Sequence, residues 1–251
     1  MEISFIGGGR VVRIILGGLQ RVGRTPEDVM VCDTDGGTLK SLEEEFSVNT
    51  STDCRNAEGD LIFLALHPPV LKDVLANIKP PRDSLVVSLA PRISMGYMQN
   101  AMNHPKVARV IPNAPSIINR GYNPFCIATE ASQSDKENLK SIFDALGDFP
   151  EVDEEKLEAY AIITAMGPTY LWFQLDELER LAVDFGMDAE EARAAVSSMT
   201  LGAVEAFYSY PQRDVLMDLI PIKPLSTEED HIRSIYRDKL TALYRNLKEK
   251  L

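Results

Sequence analysis

Three consecutive glycines, Gly7, Gly8 and Gly9, stand between an apolar run, "EISFI", and an amphipathic one, "RVVRIILGGL". Gly7 and Gly9 have the spacing of the first two glycines of a GxGxxG loop. The first permits a tight turn, and the second lets a pyrophosphate approach backbone N–H groups at a helix start. Val12 takes the third position, which relaxes close helix-to-strand packing. The chemistry of such a loop is dinucleotide binding, with Gly8, Arg10 and Val11 completing the cradle. Asp33 ends the next apolar run, somewhat beyond the roughly 20-residue spacing at which a carboxylate meets the adenosine ribose. A carboxylate there favours the hydroxyls of NAD, whereas the 2′-phosphate of NADP wants arginine or lysine. Arg10 and Lys40 carry such charge and Thr34 and Thr38 are neutral donors, so both cofactors stay open. Asp33, Thr34 and Asp35 also read as a turn ahead of Gly36 and Gly37.

Further candidates lie at the ends of other apolar runs, where open α/β sheets bind ligands. In "LALHPP", Leu66, His67 and Pro68 form such a loop, and His67 reads either as a proton-transfer group or as a packing residue. In "VIPNAP", Pro112 and Pro115 stiffen a turn that leaves the Asn113 amide to hold a carboxamide or a water. A different feature is "TAMGPTYLWFQLDELERLA", where Gly167 and Pro168 interrupt a stretch of helix formers. The pair either starts a helix at Thr169 or breaks a longer one. The resulting helix N-terminus attracts anions.

The elements that must position these residues follow from hydropathy. "EISFIGG", "VMVCDTD", "DLIFLAL", "SLVVSLAP", "VARVIPNAP" and "PFCIAT" read as strands. Segments 10–22, 37–46 and 69–78 between them read as helices, the alternation of a parallel α/β sheet. A helix over 135–146 follows. From about residue 154 the strand signals stop, and helices are predicted over 155–166, 169–185, 189–208, 213–219 and 227–251. The expectation is an α/β domain over 1–152 and an all-α domain over 153–251.

Composition narrows the partners. The chain has 251 residues, 45% hydrophobic and 25% charged, ample for a core. Its formal net charge of −12, with no run of lysine or arginine, disfavours nucleic acid and anionic membranes. No apolar stretch is long enough to span a bilayer, and the first residues lead straight into a strand rather than a secretory signal. Three widely spaced cysteines, Cys32, Cys54 and Cys126, fit reduced thiols in the cytoplasm. His67, His104 and His231 are scattered, and no metal site is expected.

Taken together, "FIGGGRVVRIILGGL", "GDLIFLALHPP", "VSLAPRIS", "VARVIPNAPSIINRGYNPFC", "TAMGPTYLWFQLDELERLAVDFGM" and "TLGAVEAF" occur in the order and approximate spacing of pyrroline-5-carboxylate reductases, and the chain resembles that family over most of its length. The resemblance implies a Rossmann domain carrying NAD(P)H, followed by a helical domain that dimerises, and hydride transfer to a cyclic imine carboxylate. It implies that Leu66, His67, Pro68, Pro112 and Asn113 border the nicotinamide. It further implies that Gly167, Pro168 and Thr169 meet the substrate carboxylate, with Asp176 standing where relatives have glutamate.

The chain also departs from the family. "LIPIKPLST" replaces a signature loop of hydroxyls and glycines: Pro224 and Thr227 match it, Ile222 and Lys223 stand for threonine and serine, and Leu225 and Ser226 for two glycines. Thr164 and Met166 replace two serines. Lys223 thereby becomes a candidate proton donor or carboxylate partner, alongside His67 and Asp176 as candidate catalytic residues and Thr227 on the substrate side. Three readings follow: a reductase of this family with a divergent loop, a related oxidoreductase of another imine or keto acid, and a dinucleotide-binding dimer without turnover. Hydroxy-acid relatives of the wider fold place a catalytic lysine on the helix after the Rossmann domain, where only Lys156 and Arg180 stand here.

Overall fold

The computed structural model describes residues 1–55 and 57–249. Six strands form a parallel sheet: β1 (Glu2–Ile6), β2 (Asp28–Cys32), β3 (Asn49–Ser51), β4 (Leu61–Leu64), β5 (Leu85–Ser88) and β6 (Val107–Val110). Two short strands follow, β7 (Gly121–Tyr122) and β8 (Phe125–Ile127). The sheet order is β3-β2-β1-β4-β5-β6-β8, with β8 antiparallel to β6. That is the doubly wound order, with its topological switch between β1 and β4. β4, β5 and β6 are buried along their whole length, which is why they read as unbroken apolar runs.

Helices α1 (Arg10–Arg21), α2 (Gly36–Phe46), α3 (Pro68–Leu75), α4 (Met95–Met102) and α5 (Gln133–Phe143) connect the strands. In α1, Val12, Ile15, Leu16 and Leu19 are buried at the spacing of one helical face. Val12, in the third-glycine position, thus serves the core. The last small strand, β9 (Gly147–Asp148), pairs with β7.

The chain divides into two compact units, 1–166 together with the tail from Ala242, and 167–241. The boundary therefore lies later than the expected residue 152. The cause is a buried charge cluster. Arg109, on β6, is fully buried, and its guanidinium donates to Glu154 at 2.9 Å and to Glu158 at 2.8 Å. The same carboxylates accept the backbone N–H of Met95 (2.8 Å) and Arg92 (3.3 Å). These bonds hold the segment after residue 153 on the sheet. The helix predicted over 155–166 is a 3-10 turn (Glu154–Lys156), a short α6 (Leu157–Tyr160) and a π turn (Ala161–Ala165).

The second unit contains α7 (Pro168–Asp184), α8 (Ala189–Ser209) and α9 (Arg213–Asp218), and α10 (Glu229–Lys248) begins in it. Asp188 and Glu191 form a capping box that starts α8. Tyr236 stands edge-on to Tyr170, linking α10 to α7. Of the last helix expected over 227–251, the final two residues lie outside the described residues.

Candidate active site

A cleft of about 490 Å³ opens at the carboxyl ends of β1, β4, β5 and β6. Its walls are Gly9, Arg10, Val11 and Ile14 on one side and Ala65, Leu66, His67 and Pro68 on another. Leu89, Ala90, Pro91, Ile111, Pro112, Asn113 and Ala114 line it further, with Ala161, Ala165 and Met166. Eight of the sequence-predicted residues, from Gly9 to Asn113, thus meet in one place.

The glycine loop explains the cleft's polarity. Gly7 has φ +100°, and a Cβ there would lie 2.6 Å from the Ala65 carbonyl oxygen, so only glycine lets β1 turn this close to β4. Its N–H donates to the Cys32 carbonyl at 2.7 Å, and that of Gly8 to the Asp33 carboxylate at 2.7 Å. The N–H groups of Gly9, Arg10 and Val11 have no acceptor among the described residues. They are the orphan donors of a helix start, and no acidic side chain in the first turn of α1 competes for them. A Cβ on Gly9 would meet nothing within 4 Å. Exposed Arg10 adds positive charge beside them. Three convergent donors, an arginine and open space above a glycine fit a pyrophosphate.

The loop after β6 is fixed to α1 by close packing. A Cβ on Gly18 would lie 2.3 Å from the Ser116 carbonyl oxygen, and the Asn119 amide donates to the carbonyls of Gly18 (2.8 Å) and Ala145 (2.7 Å). Asn113 differs from its expected role. Its amide is partly committed: Nδ2 donates to the Thr164 carbonyl at 3.2 Å, while Oδ1 accepts the Tyr122 N–H at 3.2 Å. Pro168, four residues beyond Thr164, has no N–H to offer that carbonyl. Asn113 supplies a donor through one of its two amide hydrogens, and the residue still lines the cleft.

A family model described as NADP oxidoreductase, coenzyme F420-dependent, matches residues 2–92. Pyrroline-5-carboxylate reductase 2 of Bacillus subtilis is 28% identical over 81% of this chain and 76% of its own length. Pyrroline-5-carboxylate reductase of Methanosarcina acetivorans is 27% identical over 98% and 93%. Among solved structures, a pyrroline-5-carboxylate reductase from Coxiella burnetii is 27% identical with a TM-score of 0.70, covering 99% of this chain and 97% of that one. The chain is similar to pyrroline-5-carboxylate reductases over nearly its whole length. It is an NAD(P)-dependent oxidoreductase. The Plasmodium falciparum pyrroline carboxylate reductase, solved with NADP bound, shares the fold at a TM-score of 0.84 and 21% identity, covering 99% and 97%.

His67 lines the cleft, and the predicted residues outside that group of eight are not among its lining. Asp33 and Thr34 follow β2, Asp33 half-buried and Thr34 exposed. His67 caps α3 through its carbonyl, which accepts the Leu71 N–H at 2.9 Å, and its exposed ring makes no side-chain cap bond. Gly167, Pro168, Thr169, Asp176, Lys223 and Thr227 belong to the second unit. Gly167 keeps helical dihedrals and its carbonyl accepts the Tyr170 N–H at 2.9 Å, so the Gly-Pro pair stands where a π turn passes into α7, not where a helix starts from a loop. Asp176 is exposed and paired with Arg180 at 2.8 Å on the same helix. Lys223 is half exposed, 3.9 Å from Asp218, beside a surface hollow lined by Asp214, Val215, Met217 and Leu219. Thr227 is exposed in the turn before α10. Sequence reasoning missed the Arg109, Glu154 and Glu158 cluster, whose one signal is an arginine inside an otherwise apolar strand.

Proposed function

We propose that the protein reduces pyrroline-5-carboxylate, a cyclic imine carboxylate, to proline with NADH or NADPH. The observation that carries this is the set of N–H groups at Gly9, Arg10 and Val11, opening into an apolar cleft at the switch point of the sheet. When bound, the nicotinamide supplies the hydride. The chain's own part is to bind and orient. The orphan donors and Arg10 take the pyrophosphate charge, and Leu66, Pro68, Leu89, Ile111 and Pro112 keep water from the reacting faces.

Family resemblance supports the substrate side: Gly167, Pro168, Thr169 and Thr227 for the carboxylate, with Asp176 and Lys223 near it, and His67 or Lys223 as proton donor to the nitrogen. In this reading the first unit carries the cofactor and the second, 167–241, serves substrate and dimer. A homodimer through the second unit is supported by its uncovered apolar side chains: α7 buries none of its residues, and Trp172 is 53% and Phe173 65% exposed. All three cysteines are free thiols, as the cytoplasm would keep them. No described helix is long and apolar enough to cross a membrane.

The test is loss of nicotinamide absorbance when the purified protein meets pyrroline-5-carboxylate and either cofactor. Gly9→Trp, whose side chain would fill the open space above the loop, is expected to remove cofactor binding and turnover while leaving the melting temperature near wild type. Tight cofactor binding with no reduction of this imine by the wild type would count against the substrate.

A further inference from the structure

The residue that follows β2 turns its carboxylate back toward the glycine loop. Asp33 Oδ2 accepts the Gly8 N–H at 2.7 Å, and Oδ1 accepts the Asp35 N–H at 3.0 Å. Both oxygens are thereby held in place, and each retains acceptor capacity for a further donor. In a doubly wound sheet, the end of the second strand is where the adenosine ribose of a dinucleotide lies when its pyrophosphate sits on the first loop. A ribose 2′-hydroxyl can donate to a fixed carboxylate. A 2′-phosphate brings only acceptors and about two negative charges at neutral pH.

The surroundings carry the same sign. Asp35, at the start of α2, accepts from the Gly37 N–H (3.0 Å) and the Thr38 hydroxyl (2.8 Å), which hold its carboxyl below the usual range. Asp53, just beyond β3, is gripped by Arg55 through two bonds of 2.9 and 2.8 Å, which bring its carboxyl to about 2. The Cys54 thiol lies within the field of two of these acids. It is pushed up first by burial and further by the charges of Asp33 and Asp53. Of the cations nearby in sequence, Arg55 is committed to Asp53, exposed Lys40 stands 3.8 Å from Glu44, and Arg10 lines the cleft with the pyrophosphate donors. Three carboxylates thus follow β2 and β3, and one of them already holds the arginine of that edge.

We propose that Asp33 selects the unphosphorylated ribose, so that this chain binds NADH in preference to NADPH and Asp33 is its specificity-determining residue. The proposal rests on the dinucleotide reading of the cleft. It also assigns Asp33 a second task, because the bond to Gly8 ties the ribose acceptor to the pyrophosphate loop.

The test is binding without substrate: titration of the full chain with NADH and with NADPH, followed by nicotinamide fluorescence and calorimetry. NADH is expected to bind at least about tenfold more tightly at low salt. Added salt should narrow the gap, since charge repulsion is what penalises NADPH. Asp33→Asn keeps an oxygen for the Gly8 N–H but removes the charge, and should tighten NADPH while weakening NADH. NADPH binding as tight as NADH in the wild type overturns the proposal, as does a gap that salt leaves unchanged, a measurement that does not depend on the variant folding. Binding of neither dinucleotide overturns the reading of the cleft and this proposal with it.

Discussion

Replacing Arg109 by methionine keeps the volume of the side chain and deletes its charge from a fully buried position. Two charge-assisted hydrogen bonds disappear, at 2.9 Å to Glu154 and 2.8 Å to Glu158. Glu154 retains a route to water, since its side chain is 24% exposed; Glu158 has none, at 0%. The cost therefore concentrates on Glu158, which would remain charged in an apolar setting or take up a proton. Bonds to charged groups contribute about 1.5–3 kcal/mol each, and breaking one partner of a buried pair costs about 3–5 kcal/mol. We expect a loss of roughly 3–5 kcal/mol by urea unfolding, a large part of the total of about 5–15 kcal/mol for a folded protein. The double variant Arg109→Met with Glu158→Leu removes both charges and should recover most of that loss, because a buried pair replaced by apolar groups is often neutral. A loss below about 1 kcal/mol in the single variant would refute the reasoning. So would a double variant whose cost is the sum of the two singles, which would mean that packing rather than charge holds the segment.

Two further outcomes follow from the same geometry. Gly18→Ala places a methyl 2.3 Å from a backbone carbonyl that cannot swing away, and should destabilise the fold by about 1–3 kcal/mol in a thermal melt. Burial pushes the thiols of Cys32 and Cys126 up to about 12. In the unfolded chain a thiol loses its proton near pH 8.5, so above that value the native state binds more protons than the unfolded one and stability falls as pH rises. Urea midpoints measured upward from about pH 8 should therefore decline, and Cys32→Ala with Cys126→Ala should flatten the decline.

The dinucleotide half was legible because parallel strands buried on both faces have to be apolar throughout, as "LIFL" and "LVVS" are. Their ends then mark the cleft without further information. β3 escaped notice because "NTS" is short and polar, paired on one side at the edge of the sheet. α4 escaped because Gly96 weakens a brief "MGYMQNAM" pattern that a Ser94 cap rescues. The boundary near residue 152 followed the last strand signal, whereas the chain obeys the ion pairs of Arg109, which join residues 45 and 49 positions apart. Asn113 shows the same limit. Its motif was plain, but its work depends on a proline far along the chain that lacks a donor.

That proline has a consequence for the order of events in folding. The Thr164 carbonyl loses its i+4 donor to Pro168 and accepts from an amide 51 residues away. The π turn has its own bond from the Met166 N–H to the Ala161 carbonyl at 3.0 Å, and the Asn113 amide adds a non-local cap. Loop closure over that span has to precede the Asn113 bond, so this cap strengthens the turn only once the loop after β6 has docked.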